Sequence, residues 1–197
     1  ETVDVVGDRI MTQAGEVFSV WDVEEPVLEG ASEGFYSLGY DWSHANALQA
    51  DESGFRLSLG HLDTVYDIDP MGSVLARHHP DHVLSGTPWT FQHDAHLTES
   101  GTLLLVSHES DATAAREYSI TDEGLVEEWS YVGPLSGFLG QARRQPGGTT
   151  LVNFGGKGLL REVTMEGDIV WQLEAGLGSW FGNVMLIEDV LGTAVEG

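Results

Sequence analysis

The sequence predicts an all-β fold assembled from repeated four-stranded sheets. Three observations predict it. No stretch long enough for a stable helix sustains a 3.6-residue apolar period. Short β-rich runs bounded by Gly, Asp and Pro take its place, as at 103–106, 149–152 and 168–171. These runs also recur. A glycine followed by a hydrophobic strand stands at Gly54, Gly101 and Gly148, which are 47 residues apart twice (101 − 54 and 148 − 101).

Two further pieces keep the same rhythm. One is a strand, a glycine turn and a second strand, centred on Gly72, Gly124 and Gly167, with an earlier copy at Gly15. Three of these copies close on tryptophan, at Trp21, Trp129 and Trp171. The other piece precedes each Gly-strand unit: Ser43-His44-Ala-Asn-Ala-Leu48, Gln92-His93-Asp-Ala-His-Leu97 and Leu139-Gly140-Gln-Ala-Arg-Arg144. A fourth start is Phe181-Gly182-Asn-Val-Met-Leu186. In this register His44, His93, Gly140 and Gly182 fall at one equivalent position.

A four-stranded unit of roughly 40 to 50 residues has the size of a β-propeller blade, whose first strand lines the central channel. The sequence therefore divides into the end of one blade (1–40), three successive blades (41–90, 91–137, 138–178) and the start of another (179–197). That is about four blades' worth, expected to be a fragment of a six-bladed propeller. A small four-bladed ring closed by the C-terminal strand is the alternative. Either way, His44 and His93 are expected to face each other at the channel mouth.

Charge narrows the functional classes. There are 32 acidic residues against 8 basic ones, and Lys157 is the single lysine. A net charge of −24 excludes duplex nucleic acid as a natural partner and argues against anionic membrane surfaces. The acids are scattered rather than blocked, so they read as a marine or halophilic solvation feature and not as a binding site. No apolar run reaches the roughly 18 residues of a membrane span. With no cysteine, disulfides, thiolate metal sites and cysteine nucleophiles are excluded.

His44 and His93 are the first candidates for chemistry, against the alternative of two hydrogen-bonded histidines that stabilise inner strands. His61 and His108 each follow an inner strand and read as rim residues or solvated turn residues. His96 lies three residues beyond His93 and reads as a packed residue on the other strand face. His78, His79, Asp81 and His82 form a polar run around Pro80 that reads as an inter-blade loop, and no metal site is expected. Trp42 and Trp89 flank the histidine motifs and either stack an aromatic substrate or pack. Trp129 and Trp171 read as inter-blade packing. Arg143 and Arg144 are read as partners of local carboxylates, or as a substitute anion clamp.

Taken together, Asp41-Trp-Ser-His-Ala-Asn46, Ser58-Leu-Gly-His-Leu-Asp-Thr-Val-Tyr-Asp-Ile-Asp69, Phe91-Gln-His-Asp-Ala-His96, Glu117-Tyr118 and the run 138–152 resemble the arylsulfotransferase family over residues 40–192. The resemblance implies a six-bladed propeller in the periplasm or outside the cell. It also implies transfer of a sulfuryl group from a small-molecule aryl sulfate to a phenol, without a nucleotide donor or other cofactor. A histidine is transiently sulfated in that scheme. His44 and His93 take active-site positions, with Arg116 as the closest arginine to the family's sulfate clamp. Asn46, Gln92, Asp94, His61 and Trp42 take substrate-binding positions. Imidazole suits such chemistry, since it can donate to a sulfate oxygen, move a phenol proton or attack as a nucleophile.

The sequence also departs from the family. No histidine follows His108, where the nucleophile is expected. The arginine position is Ala114, and Arg116 lies two residues on, roughly 6.6 Å along a strand. Gly60 replaces an expected cation. A non-catalytic propeller serving as a binding module, and a purely structural calcium- or salt-dependent one, therefore stand beside the enzymatic reading. The oligomeric state is left open.

Overall fold

Alternating apolar residues bounded by glycine turns leave a chain few options other than hairpins stacked face to face. The computed structural model describes residues 9–13, 15–24, 43–176 and 178–184, and in them the chain takes this course. Strands β1 (Arg9–Thr12) and β2 (Gly15–Ser19) form a hairpin. The first complete blade is β3 (Ala45–Asp51), β4 (Gly54–Leu59), β5 (Thr64–Ile68) and β6 (Val74–His78), antiparallel in chain order.

A short strand, β7 (Val83–Ser85), leads into the second blade. That blade is β8 (His93–Leu97), β9 (Leu103–His108), β10 (Thr113–Ile120) and β11 (Leu125–Gly133). The third blade is β12 (Gln141–Arg144), β13 (Thr150–Phe154), β14 (Leu159–Val163) and β15 (Ile169–Glu174). There is no α-helix among the described residues, and so none long and apolar enough to cross a membrane.

These are β-propeller blades, with β3 beside β8, and β8 and β9 beside β12, so that the innermost strands neighbour one another. One boundary differs from the sequence reading. Residues 83–85 fall within the segment assigned to the first blade, yet β7 pairs in parallel with β11 at the outer edge of the second.

The repeated glycine has a physical reason. Gly54, Gly101 and Gly148 close the first hairpin of each blade at φ +136°, +82° and +84°, where a side chain is strained. At Gly54 a Cβ would also lie 2.0 Å from the Ile68 carbonyl oxygen.

Period-two alternation decides which face each residue covers. On β9, Leu103 and Leu105 pack toward the first blade with Val65, Trp89, Tyr118 and Leu125. Leu104 and Val106 pack toward the third, with Trp129, Val152, Phe154 and Val163. Trp129 is buried under the Arg144 guanidinium, 4.2 Å from the ring centroid, and its Nε1 donates to the Met165 carbonyl at 2.9 Å. Trp171, expected to match it, is 42% exposed on β15 and donates to Glu162. No described element covers it from outside. Trp89 is fully buried, so it packs, with Nε1 donating to the Asp63 carbonyl at 3.1 Å.

Candidate functional site

In an antiparallel pair, the start of one strand and the end of the next lie at the same end of the sheet. The two innermost strands of the first blade, and those of the second, therefore each bring two histidines together. His44 directly precedes β3, and His61 sits in the 3-10 turn that follows β4. His93 opens β8, and His108 closes β9. Backbone bonds tie these ends, from Gly60 N to the His44 carbonyl and from His108 N to the Thr90 carbonyl, both 2.9 Å.

The four imidazoles gather around Phe91. His44 stacks on His61 with centroids 4.8 Å apart, and each stacks on Phe91 at 5.4 Å. His93 lies 5.7 Å from His44 and 5.4 Å from Phe91, edge on to both. His108 completes the group, 5.1 Å from His93 and 5.9 Å from Phe91. Close approach on the first blade depends on Gly60, where a Cβ would fall 2.6 Å from Asn46 Nδ2 and 3.1 Å from His44 Cδ2.

His44 and His93 are thus brought together, though not as equivalent residues. Left-handed backbone marks the true register: His44, Phe91 and Leu139 take φ of +53°, +42° and +56° just ahead of the three inner strands. His93 lies two residues beyond that position. The match of His44 to His93 in the sequence aligns identical side chains that stand two residues apart in the structural register (93 − 91). Phe91 is held in its conformation by the Asp63 carboxylate, which accepts from its N–H.

Burial shapes the electrostatics. Desolvation, then the neighbouring His108, His44 and His61, push the His93 pKa down to about 3. Burial also holds His108 below its ordinary value, against the backbone hydrogen bonds of Ser136 and Leu139. Both rings are neutral at pH 7. The Nε2 atoms of His93 and His108 and the Oδ1 of Asn46 are buried with no hydrogen-bond partner among the described residues.

The other predicted residues serve different ends. Asn46 Nδ2 donates to the Gln92 carbonyl at 2.6 Å, joining first and second blades. Gln92 is fully buried, and its Nε2 donates to Ser58 Oγ, the Leu59 carbonyl and the Thr64 carbonyl at 3.0–3.1 Å. That makes it an inter-blade bolt rather than a substrate ligand. Asp94 forms a two-pronged ion pair with Arg143 of the third blade, and burial raises its carboxyl to about 6 against Arg143's pull.

Arg116 does not join the histidines. Its guanidinium is buried between Glu109, which accepts from Nε and Nη2, and Glu127, which accepts from Nη1. Trp42 lies outside the described residues. His108, read from sequence as a rim or solvated residue, is 9% exposed. His96 is half-buried against Asp94 and Arg143, with its pKa lowered to about 4 by burial and then by the Arg143 charge. No group of three or more His, Asp or Glu among the described residues is placed to hold a metal ion.

Sequence reasoning gave no role to Phe91 or Asp63 and underrated His108. One signal was available: His61 and His108 are 47 residues apart (108 − 61), the period of the repeated glycines.

No family model matches the chain, and no curated protein matches it. Among solved structures it is similar to a protein of unknown function from Bacteroides caccae, at 17% identity and a TM-score of 0.51. That likeness covers 86% of this chain and 54% of the other, so the chain spans about half the length of that protein. It also resembles virginiamycin B lyase from Staphylococcus aureus, in a catalytically inactive variant with quinupristin. There the identity is 12%, the coverage 70% and 43%, and the TM-score 0.46, too distant to bear on the site.

Proposed function

We propose that this chain carries the histidine-lined part of a site that moves a sulfuryl group from a phenolic sulfate ester to a phenol. The observation supporting the reading most is the ring cluster: His44, His61, His93, His108 and Phe91, with contacting centroids 4.8 to 5.9 Å apart at one end of the inner strands. The aromatic surfaces suit an aryl group. A neutral imidazole offers one N–H donor and one lone pair, so it can donate to a sulfuryl oxygen or relay a proton.

The overall exchange balances without a cofactor. The S–O bond to the donor phenol breaks, an S–O bond to the acceptor oxygen forms, and the acceptor's proton ends on the departing phenol. His44 and His93 hold the sulfuryl oxygens or carry that proton. A periplasmic or extracellular location goes with this reading.

The test is a chromogenic aryl sulfate mixed with excess phenol. Release of chromophore that depends on the phenol, and is lost in His93→Asn, is the expected result. Chromophore release unaffected by His93→Asn, or none from folded protein, overturns the reading.

A second reading is a non-catalytic propeller that binds small aromatic molecules. Its specific support is Arg116: with Glu109 and Glu127 on its guanidinium, the arginine closest to the expected sulfate clamp has its charge already matched. Saturable binding of an aryl sulfate with no turnover is the outcome that selects it.

A further inference from the structure

His108 has a fixed chemical polarity that the exchange reaction does not by itself require. Its Nδ1 lies 2.6 Å from the Ser136 carbonyl oxygen. A carbonyl only accepts, so Nδ1 carries the proton. Burial outweighs the Ser136 and Leu139 backbone groups and keeps the ring neutral, so with the proton on Nδ1 the lone pair is on Nε2. The tautomer is held from behind: Thr113 Oγ1 donates to the same carbonyl at 3.0 Å and accepts from Ser136 N at 2.9 Å. Thr113 and Ser136 are 0% and 2% exposed, so water does not compete for that carbonyl.

The other end of the ring is unmatched. His108 Nε2 is buried and meets no hydrogen-bond donor among the described residues. Beside it stands Gly140, where an added Cβ would lie 3.5 Å from Nε2 and 2.7 Å from Val106 Cγ1. Gly140 thus brings no side chain to the acceptor nitrogen. Phe91 and His93 flank the ring at 5.9 and 5.1 Å between centroids.

A lone pair among aromatic rings selects its ligand. The outer oxygens of a sulfate ester are acceptors and find no donor at His108 Nε2. A hydroxyl attached to an aromatic ring offers the missing hydrogen, and its ring meets ring faces. We infer that His108 holds the hydroxyl of the phenolic acceptor, through Nε2, and is the residue that separates acceptor from donor in the site. This rests on the sulfuryl-exchange reading for the word acceptor, but the binding claim stands on His108 alone.

The test uses the whole 197-residue chain. Nitrogen-15 spectra correlating ring nitrogens with ring protons report the His108 tautomer without any variant. The expected result at pH 7 is a neutral Nδ1–H ring whose Nε2 resonance shifts saturably with added phenol and is unmoved by inorganic sulfate. A ring protonated on Nε2, or an Nε2 signal indifferent to phenol, overturns the inference.

Where turnover is measurable, His108→Asn keeps an N–H at the Nδ1 position for Ser136 but removes the acceptor nitrogen. KM for the phenol should rise about tenfold, the equivalent of one lost hydrogen bond, with KM for the aryl sulfate unchanged. An equal change in both constants overturns it. Phenol binding at His108 without any sulfuryl transfer supports this inference and overturns only the reaction proposed above.

Discussion

The rings of His93 and His108 meet edge to face, with centroids 5.1 Å apart and planes at 86°. One belongs to the first residue of β8 and the other to the last of β9, neighbours across an antiparallel pair. Two buried imidazoles this close cannot both be protonated without large cost, and burial is the main cause that keeps each of them neutral. Among the neighbouring titratable groups bearing on His93, His108 has the largest effect, after burial itself.

That relationship predicts an acid-labile fold. His93 and His96 have folded pKa values of about 3 and about 4, below the unfolded value near 6.5. The unfolded chain therefore binds more protons as pH falls below about 6.5, and stability present above that pH is progressively lost. Asp94 opposes this. Its pKa of about 6 is raised, so between about 6 and 4 the folded state binds the extra proton. His108 and His79, both lowered first by burial, add to the two histidines, while Asp63, raised by burial, sides with Asp94. Urea midpoints measured from pH 7 to 4 should fall, and His93→Asn should flatten the slope by up to about 1.4 kcal/mol per pH unit. An unchanged slope in that variant contradicts the buried neutral state of His93.

Arg116 separates structural from chemical roles. Its side chain is 4% exposed and bound by two carboxylates, Glu109 and Glu127. Removing it leaves both acids partly buried without a counter-charge. Arg116→Ala should destabilise the fold by about 3 kcal/mol or more in denaturant melts. Phenol binding at the histidine cluster should be unchanged in the protein that remains folded. A variant of native stability with weakened binding would place Arg116 in the site after all.

The propeller was legible because its repeat is written in residues with one conformational job. The glycines at 54, 101 and 148 all take positive φ, so their spacing carried over directly into three hairpins. Meeting of His44 and His93 was legible for a similar reason, since inner-strand ends converge. The exact register was not. A bulge between His93 and His96 shifts pairing on β8, and another between Ala45 and Ala47 does so on β3, so identical side chains mark different positions. His108 was misread because exposure was inferred from its place at a strand end. Its burial depends on Ser136, 28 residues away, whose carbonyl closes over the ring. Arg116 was assigned by sequence proximity to a family position, and only the fold reveals the two glutamates beside it.

Gly140 offers a test of packing at the edge of the site. Its backbone φ is not positive, so alanine is conformationally acceptable there; the obstacle is volume. A Cβ would approach Val106 Cγ1 to 2.7 Å and Val106 Cβ to 3.3 Å, in a core where Val106 is fully buried. Gly140→Ala should therefore cost about 1–3 kcal/mol by overpacking. Adding Val106→Ala should recover part of that loss, because the clashing methyl is removed. Thermal melts of the single and double variants check it, and additive losses would place the strain elsewhere.

Blades two and three are joined through Asp94 and Arg143. Asp94 takes φ +57° and reaches across to Arg143, with the Ala142 N–H also donating to it at 3.3 Å. Arg143 is 37% exposed, so the pair is neither a surface bridge nor a fully buried one. Asp94→Ala removes the inter-blade pair and leaves the guanidinium able to reach water. Asp94→Gly removes the same pair while also relieving the left-handed backbone, which glycine adopts at no steric cost. The alanine variant should lose about 1–3 kcal/mol, and the glycine variant distinctly less. Raising salt should narrow the gap between wild type and alanine, because the guanidinium end of the pair is screened. Equal losses in both variants would show that the backbone at 94 stores no strain and that the ion pair alone joins the two blades there.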